Sequence, residues 1–567
     1  MRILVIQLAR FGDIFQSWPT WRALLRRNPG CELHVLVRER FRAAADDFPG
    51  ITVHALPTRE ILRPIAEGDG TEVALRLLEN FFNPLRELGF ERIINLSFSP
   101  LASYLTDWLG ENGAQLSGYT RHSDGHFQAP DDTSAYFHAQ VGIGRSNRFH
   151  VTQLFASVAG VELIPEDVTQ SLVSPSDRTG IAVHLAASQA EKAYPPELWI
   201  QALQELAQRS SEPITLIGST EERALSEAVA AQVPQVINRV GQTNLKEVFT
   251  CLSQARLLIG GDSAPVHIAA LTGTPVLNLS CALVNFWETG PLSEGSRILF
   301  ADELAAISPT RIADEAAALA KGQEPSGPCF IRPGLFEFYQ AHDLPDDRFS
   351  WEIVLALYTD AVYPKATLRA DKLALQRLFE LAELALQQLA RWTDPKAFST
   401  AVKILAQVDE MLVEVSRLSP RVDPIIQWFQ TERLRIPPES DQSTLERTTK
   451  CFRELYIVTS LYREPDESEV TLRDRAIKMC TICAPSLREY EFASINDSFQ
   501  TLVSTLHDLA RHSTKVADQP WSYVLAELNT SLENRDFIQL ADLLQWKLAP
   551  ALQQPIEKET LKQDVIF

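Results

Sequence analysis

The stretch LLIGGDSAPVHIAALTGTPVLNL, residues 257–279, packs a strand, a helix and a second strand into one short span. Leu257 to Gly260 is an unbroken apolar run that stops at Gly260-Gly261. Continuous rather than alternating hydrophobicity marks a strand buried on both faces, as in a parallel sheet. Pro265 falls in the first turn of the next segment and Gly273 closes it, a helix start and a helix stop. Val276 to Leu279 is apolar again. Strand, helix, strand in that order is the unit of an α/β fold.

The same alternation extends in both directions. RILVIQL, ELHVLV and RIINLSF read as strands with amphipathic segments between them. A second cycle starts near 180: TGIAVHLA as strand, PELWIQALQELAQRS as helix, PITLIG as strand, TEERALSEAVAAQV as helix, then LKEVFTCLSQA as helix. This predicts two doubly wound, Rossmann-like domains in tandem, 1–172 and 173–335. The Pro- and Gly-rich GQEPSGPCFIRPG, 322–334, breaks the pattern. Beyond about 340 only helical spacing remains, in DKLALQRLFELAELALQQLARW, AVKILAQVDEMLVEVSRL, FQTLVSTLHDLARH and a closing hairpin through FIQLADLLQWKLAPAL. Residues 336–567 are therefore expected to form an all-α domain.

Bulk properties narrow the function classes. The 567 residues suffice for several domains, and 45% hydrophobic with 22% charged residues is ordinary for a globular chain. A net charge of −20 disfavours nucleic acid or an anionic membrane as the main partner. An anionic small ligand would need its own local cations or a helix N-terminus, because fields are screened within about 8 Å. No apolar run approaches a membrane span, and the N-terminal run reads as a first core strand, so a cytoplasmic location is expected. Seven scattered cysteines suggest reduced thiols. Cys480 and Cys483 share one helix face and read as a buried pair rather than a metal or redox site.

In parallel α/β folds ligands bind beyond the carboxyl ends of the strands. Three loops there carry chemistry. In LARFGDIF, 8–15, Gly12 permits close backbone approach and Asp13 opens a helix. Asp13 is either an N-cap, worth about 1 kcal/mol, or a group at the lip of a site. In HLAASQAEKAYPPELW, 184–199, Lys192 lies just before the helix start at Pro195-Pro196. In 260–267, Asp262 and Ser263 precede a helix whose first N–H groups and Ser263 hydroxyl form a ready anion site, with His267 one turn in.

Taken together, RFGDIFQSWPTWRALLRRNP, SQAEKAYPPELW, LIGSTEERAL and GGDSAPVHIAALTGTPVLNL resemble, in order and spacing, motifs of the heptosyltransferase-like glycosyltransferase family 9. The resemblance covers about the first 320 residues. It implies a GT-B fold with the active site between the two Rossmann-like domains. It also implies inverting, metal-free transfer of a heptose-like sugar from a nucleotide diphosphate donor, ADP-heptose favoured, with no cofactor. By resemblance Asp13 falls on the catalytic base, Lys192 on a diphosphate contact and Glu221 or Glu222 near the ribose contact. Asp262, Ser263, Ala264 and His267 fall on the diphosphate loop. Ala264 replaces a usual Gly, Pro265 a usual small residue, and SCALVNFWETGP, 280–291, replaces a usual Phe-Gly-Pro-Thr.

Set beside the other two loops, Asp13 reads as the base. Gly12 then leaves room for the acceptor, and Arg10 is placed to hold an acidic group on it. The acceptor is expected to be a glycan, as in lipopolysaccharide synthesis, or a surface or flagellar protein docked by the helical domain. The competing reading, from the altered 264–265 and 280–291 segments, is a catalytically degenerate GT-B protein that acts as a binding or scaffold module.

Overall fold

The structure, a computed structural model, describes residues 1–567 except 69, 123, 172, 188, 360, 394–395, 397, 436–440, 463–468, 490–497, 500, 504, 507–508, 510–520 and 554–567. The chain divides into two compact units. Met1–Val362 with Pro424–Thr444 forms the first, and Tyr363–Asp423 with Leu445–Phe567 the second.

The first unit contains two parallel sheets. Strands β1 (Arg2–Ile6), β2 (Glu32–Arg38), β3 (Ile51–Leu56), β4 (Arg92–Asn95) and β5 (Gln115–Gly118) lie in the order β3-β2-β1-β4-β5. A short antiparallel hairpin, β6 (Thr120–Arg121) with β7 (Phe127–Gln128), follows. The second sheet has β8 (Ile181–His184), β9 (Ile214–Leu216), β10 (Val236–Asn238), β11 (Leu257–Gly260), β12 (Val276–Cys281), β13 (Arg297–Ala301), β14 (Cys329–Ile331) and β15 (Gln340–His342). Its order is β10-β9-β8-β11-β12-β13-β14-β15. Strands through β13 run parallel, and β14 and β15 add antiparallel at the edge.

Each sheet thus reverses direction beside its first strand. Chains leaving β1 and β4 go to opposite faces, as do those leaving β8 and β11, and a crevice opens at each switch point. This is the tandem Rossmann-like architecture of a GT-B fold. The Pro- and Gly-rich segment expected to end it instead supplies β14, whose Phe330 and Ile331 pair along the edge of β13.

Helix α1 (Phe11–Arg27) joins the two sheets. Its residues Ile14, Phe15, Trp18 and Trp21 are buried in one apolar cluster with Ile3 and Val5 of β1. The same cluster takes in Leu252, Val266, Ile268 and Leu271, from the second domain's helices Leu245–Gln254 and Ala264–Thr272. Phe249 stacks on Trp18 with ring centroids 5.3 Å apart and meets Phe15 edge-on at 5.6 Å. The first unit also continues past residue 335. Helix Phe349–Tyr358 places Trp351 and Val354 in this core, and Trp351 meets Phe149 at 5.1 Å.

The second unit is helical. Its helices include Arg369–Leu389, Phe398–Leu418, Glu469–Arg488 and Ser522–Glu533. Half of the helix expected over 499–512 lies outside the described residues. The expected single helix over 537–552 is interrupted by a π-helical turn at Leu543–Leu548. Cys480 and Cys483 are buried among Leu472, Leu487 and Leu544, and burial pushes their thiols up to about 12 and about 11. They are inert at neutral pH, and all seven cysteines are free thiols. No helix of the described residues is long and apolar enough to cross a membrane.

Trp18→Ala removes the ring on which Phe249 stacks and leaves a cavity between the domains. It is expected to destabilise the first unit by about 3–5 kcal/mol, read as a lowered midpoint in denaturant unfolding.

Candidate active site

Four polar contacts fix the turn after β1. The Gln7 N–H donates to the Leu36 carbonyl at 2.9 Å, and its side-chain amide donates to Ser17 Oγ at 2.9 Å. Ser17 Oγ donates in turn to the Asp13 carbonyl at 2.8 Å. The Leu8 N–H donates to Ser97 Oγ, at the end of β4, at 2.6 Å. The sequence gives no periodic signal for Gln7 or Ser17, because their partners are set only by the packing of α1 on the sheet.

Asp13 is not the N-cap. Arg10 holds that position with extended backbone, and Asp13 is the third residue of α1. Its Oδ2 reaches back to accept the Arg10 N–H at 3.0 Å, the carboxylate half of a capping box. The helix starts earlier than Asp13 because Phe11 and Gly12 already take helical geometry. Burial raises the Asp13 pKa above the ordinary carboxylate value, while the Arg10 N–H and the nearby His267 work against that rise. Arg10 is exposed at the mouth of this turn. Beside it, burial lowers the Arg38 pKa, and the charges of Arg10 and Arg40 lower it further. Arg38 and Arg40 lie over the Phe41 ring at 4.9 and 5.5 Å.

The second domain contributes the loops after β8, β9 and β11. Lys192 ends the short turn Ala190–Lys192, and Asp262 follows β11. Their side chains meet across the switch point, Nζ to Oδ2 at 3.5 Å, both largely buried. Ser263 is the N-cap of Ala264–Thr272, but its hydroxyl donates to the Gly261 carbonyl at 3.1 Å and does not cap the helix. Ala264 and Pro265 occupy the first two helical positions. Proline there removes an N–H that helix geometry leaves unpaired in any case.

Of the two candidate glutamates, Glu222 is held in place. Its Oε2 lies 3.2 Å from His184 Nε2 and accepts the Ser219 N–H at 3.1 Å. Burial works to raise its pKa, yet the bond to His184, the charge of His184 and the Ser219 contacts leave it below the ordinary value. Glu221 is exposed, and its own N–H and Ser219 lower its pKa, with Arg40 of the first domain adding to the effect. His184, at the end of β8, is a site residue that strand hydrophobicity does not reveal; its Nδ1 is buried with no partner among the described residues.

The two halves meet at Gly12. A Cβ built on Gly12 would lie 2.8 Å from Cδ2 and 3.1 Å from Nε2 of His267. The space expected for an acceptor at Gly12 is thus filled by an imidazole. His267 is buried. Burial lowers its pKa, and Asp262 and Asp13 pull it upward.

The divergent 280–291 segment has its own role. Glu288 is buried and accepts the Gly142 N–H at 3.1 Å and the Asn147 side-chain amide at 3.1 Å, both from the first domain. Burial raises its pKa to about 8, against these bonds. Nearby His150 shares a hydrogen bond with the Gly290 carbonyl at 2.9 Å. This segment ties the domains together below the crevice.

Residues 154–310 match the family model described as Glycosyltransferase family 9 (heptosyltransferase). The match spans 157 of the chain's 567 residues. Lipopolysaccharide heptosyltransferase 3 of Escherichia coli (strain K12) is 23% identical over 292 residues, which is 49% of this chain and 81% of that protein. Among solved structures, E. coli ADP-heptose lipopolysaccharide heptosyltransferase II gives a TM-score of 0.42 at 18% identity, over 57% of this chain and 99% of that one. An E. coli heptosyltransferase with ADP-2-deoxy-2-fluoro heptose gives 0.41 at 16% identity, over 55% and 96%. The chain is accordingly an enzyme of the glycosyltransferase class.

Two variants test the electrostatics. Asp13→Asn keeps an oxygen for the Arg10 N–H and removes a carboxylate whose folded pKa is raised. The folded state holds that proton more tightly than the unfolded chain, so ionisation costs stability as pH rises past the unfolded value. At pH 7 Asp13→Asn should therefore raise the thermal midpoint, by about 2–4 °C per kcal/mol released, with the difference vanishing below about pH 4. By the same sign, the stability associated with Glu288 declines between its unfolded value of 4.5 and about 8. Glu288→Gln should have its largest stabilising effect relative to the wild type above pH 8, in melts recorded from pH 5 to 9.

Proposed function

We propose that the protein is an inverting, metal-independent heptosyltransferase that uses ADP-heptose as donor and a hydroxyl of a lipopolysaccharide core glycan as acceptor. The observation that carries this reading is the meeting, at one crevice, of the Asp13 turn with the Lys192, Asp262 and His267 loops. The similarity to heptosyltransferases supports the sugar and the glycan acceptor.

In this reading the donor diphosphate lies at the N-terminus of the 264–272 helix, where the Ala264 N–H and the helix dipole favour negative charge. Lys192 turns from Asp262 to the diphosphate and stabilises the charge that develops as it leaves. Glu222, oriented by His184, takes the ribose hydroxyls. The acceptor oxygen attacks the anomeric carbon from the face opposite the diphosphate. The new carbon–oxygen bond forms as the bond to phosphate breaks, the electron pair leaves with ADP, and the acceptor proton passes to Asp13. A carboxylate with a raised pKa suits that transfer better than a free one at about 3.9. Arg10, Arg38 and Arg40 border the acceptor side, where they would hold an anionic group on the glycan.

For the helical unit we propose contact with the carrier of the acceptor, including a protein carrier. Leu418, Ile538 and Trp546 are exposed on it, Trp546 at 67%. Trp546→Ala with Ile538→Ser should slow transfer to a macromolecular acceptor and leave transfer to free core oligosaccharide unchanged. Equal rates for variant and wild type on both acceptors would remove that role.

The chemistry is tested with ADP-heptose and core oligosaccharide, following ADP release. Asp13→Ala should lower kcat by at least about 10²-fold, within the range of a lost general base, with ADP affinity by calorimetry little changed. Lys192→Ala should raise the donor KM by about 10–100-fold, the cost of a lost charged hydrogen bond. Wild-type kcat/KM should fall on the acid side with a midpoint above the ordinary aspartate value of 3.8. Lack of ADP and ADP-heptose binding would instead favour the degenerate, scaffold reading.

A further inference from the structure

Gly12 does not need to be glycine for its backbone. It lies in the first turn of α1, and its φ is outside the left-handed range that only glycine adopts readily. Inside a helix, glycine is worse than alanine by about 0.5–1 kcal/mol. What forbids a side chain is His267, whose ring would sit 2.8 Å from the new Cβ. The ring is buried, so the new Cβ would meet protein and not solvent. It sits near Phe15, Gln16 and Pro19 of α1 and His150 around one small cavity.

We infer that His267 is a positioning residue for Asp13: its imbedded ring is the spacer that sets how closely the turn bearing Asp13 approaches the helix that receives the donor diphosphate. This rests on the proposed role of Asp13 and extends it. Asp13 follows Gly12 directly, so a displacement at Gly12 moves the carboxylate. His267 belongs to the first turns of the donor helix, so the contact sets the base against that helix without touching the donor itself. A shift of about 1 Å between reacting groups can cost about 10²-fold in rate. That sensitivity gives the Gly12–His267 contact a catalytic consequence even though neither residue takes the proton.

The test is a double-mutant cycle on the full chain with Gly12→Ala and His267→Ala. Alone, Gly12→Ala should lower the thermal midpoint and lower kcat at least tenfold with ADP-heptose and core oligosaccharide, with the donor KM within about twofold. In the His267→Ala background the same substitution should raise the midpoint, because alanine is then simply the better helix former, and change kcat by less than twofold. If Gly12→Ala alone does not fold, recovery of folding in the double variant is the expected result. Equal effects of Gly12→Ala in both backgrounds, or a lowered midpoint with kcat unchanged, would overturn the inference. Full activity of Asp13→Asn, run alongside, would overturn the base assignment by itself, whatever the stability cycle shows.

Discussion

The stack of Trp18 on Phe249 holds the two sheets at one spacing, and the site is built over it. Helix α1 buries Ile14, Phe15, Trp18 and Trp21 in a single core with residues of the 245–254 and 264–272 helices. Two Rossmann-like domains that merely faced each other across solvent could not fix the Asp13 turn against the 260–267 loop. Here the first turn of α1 rides on the same helix whose apolar face is anchored in the second domain. The position of Asp13 relative to the donor loop is therefore set by side-chain packing, which is stiff, more than by the connecting loops.

Charge is arranged on that frame by burial and pairing. The chain carries a net charge of −20, so an anionic donor must be met locally. Lys192 is held at the switch point by Asp262, and the helix N-terminus beyond Ser263 supplies further donors. Arg10, Arg38 and Arg40 cluster in the first domain, with Arg38 and Arg40 over the Phe41 ring. Burial keeps Asp13 more basic than a free aspartate and keeps Glu288 protonated near neutrality, with opposite uses. The first is held back against the Arg10 N–H at the start of α1, and the second sits in the seam between the domains, where an ionised carboxylate would be costly.

The parts of this arrangement that lie in strand-to-helix loops are legible in the sequence. Apolar-rich runs mark β1, β2, β4, β8, β9, β11 and β12, and the polar residues that follow several of them are Asp13, Lys192 and Asp262. Short or edge strands such as β10 and β14 lack such runs and emerge only by pairing. Partners set by tertiary packing are hidden as well. Nothing in 184–222 announces that His184 will orient Glu222 in preference to Glu221. Asp13 could be read as a cap because a helix start does not reveal its own register to within two residues. Gly12 could be read as space for substrate because a glycine does not say what fills the volume it leaves.

The central claim is that one carboxylate, Asp13, takes the acceptor proton while the diphosphate leaves from the opposite face. That geometry permits a single displacement and no glycosyl-enzyme intermediate. The anomeric configuration of the product, read by NMR after transfer from ADP-heptose to core oligosaccharide, tests this most directly. The account predicts a configuration opposite to that of the donor; retention of the donor configuration would contradict it.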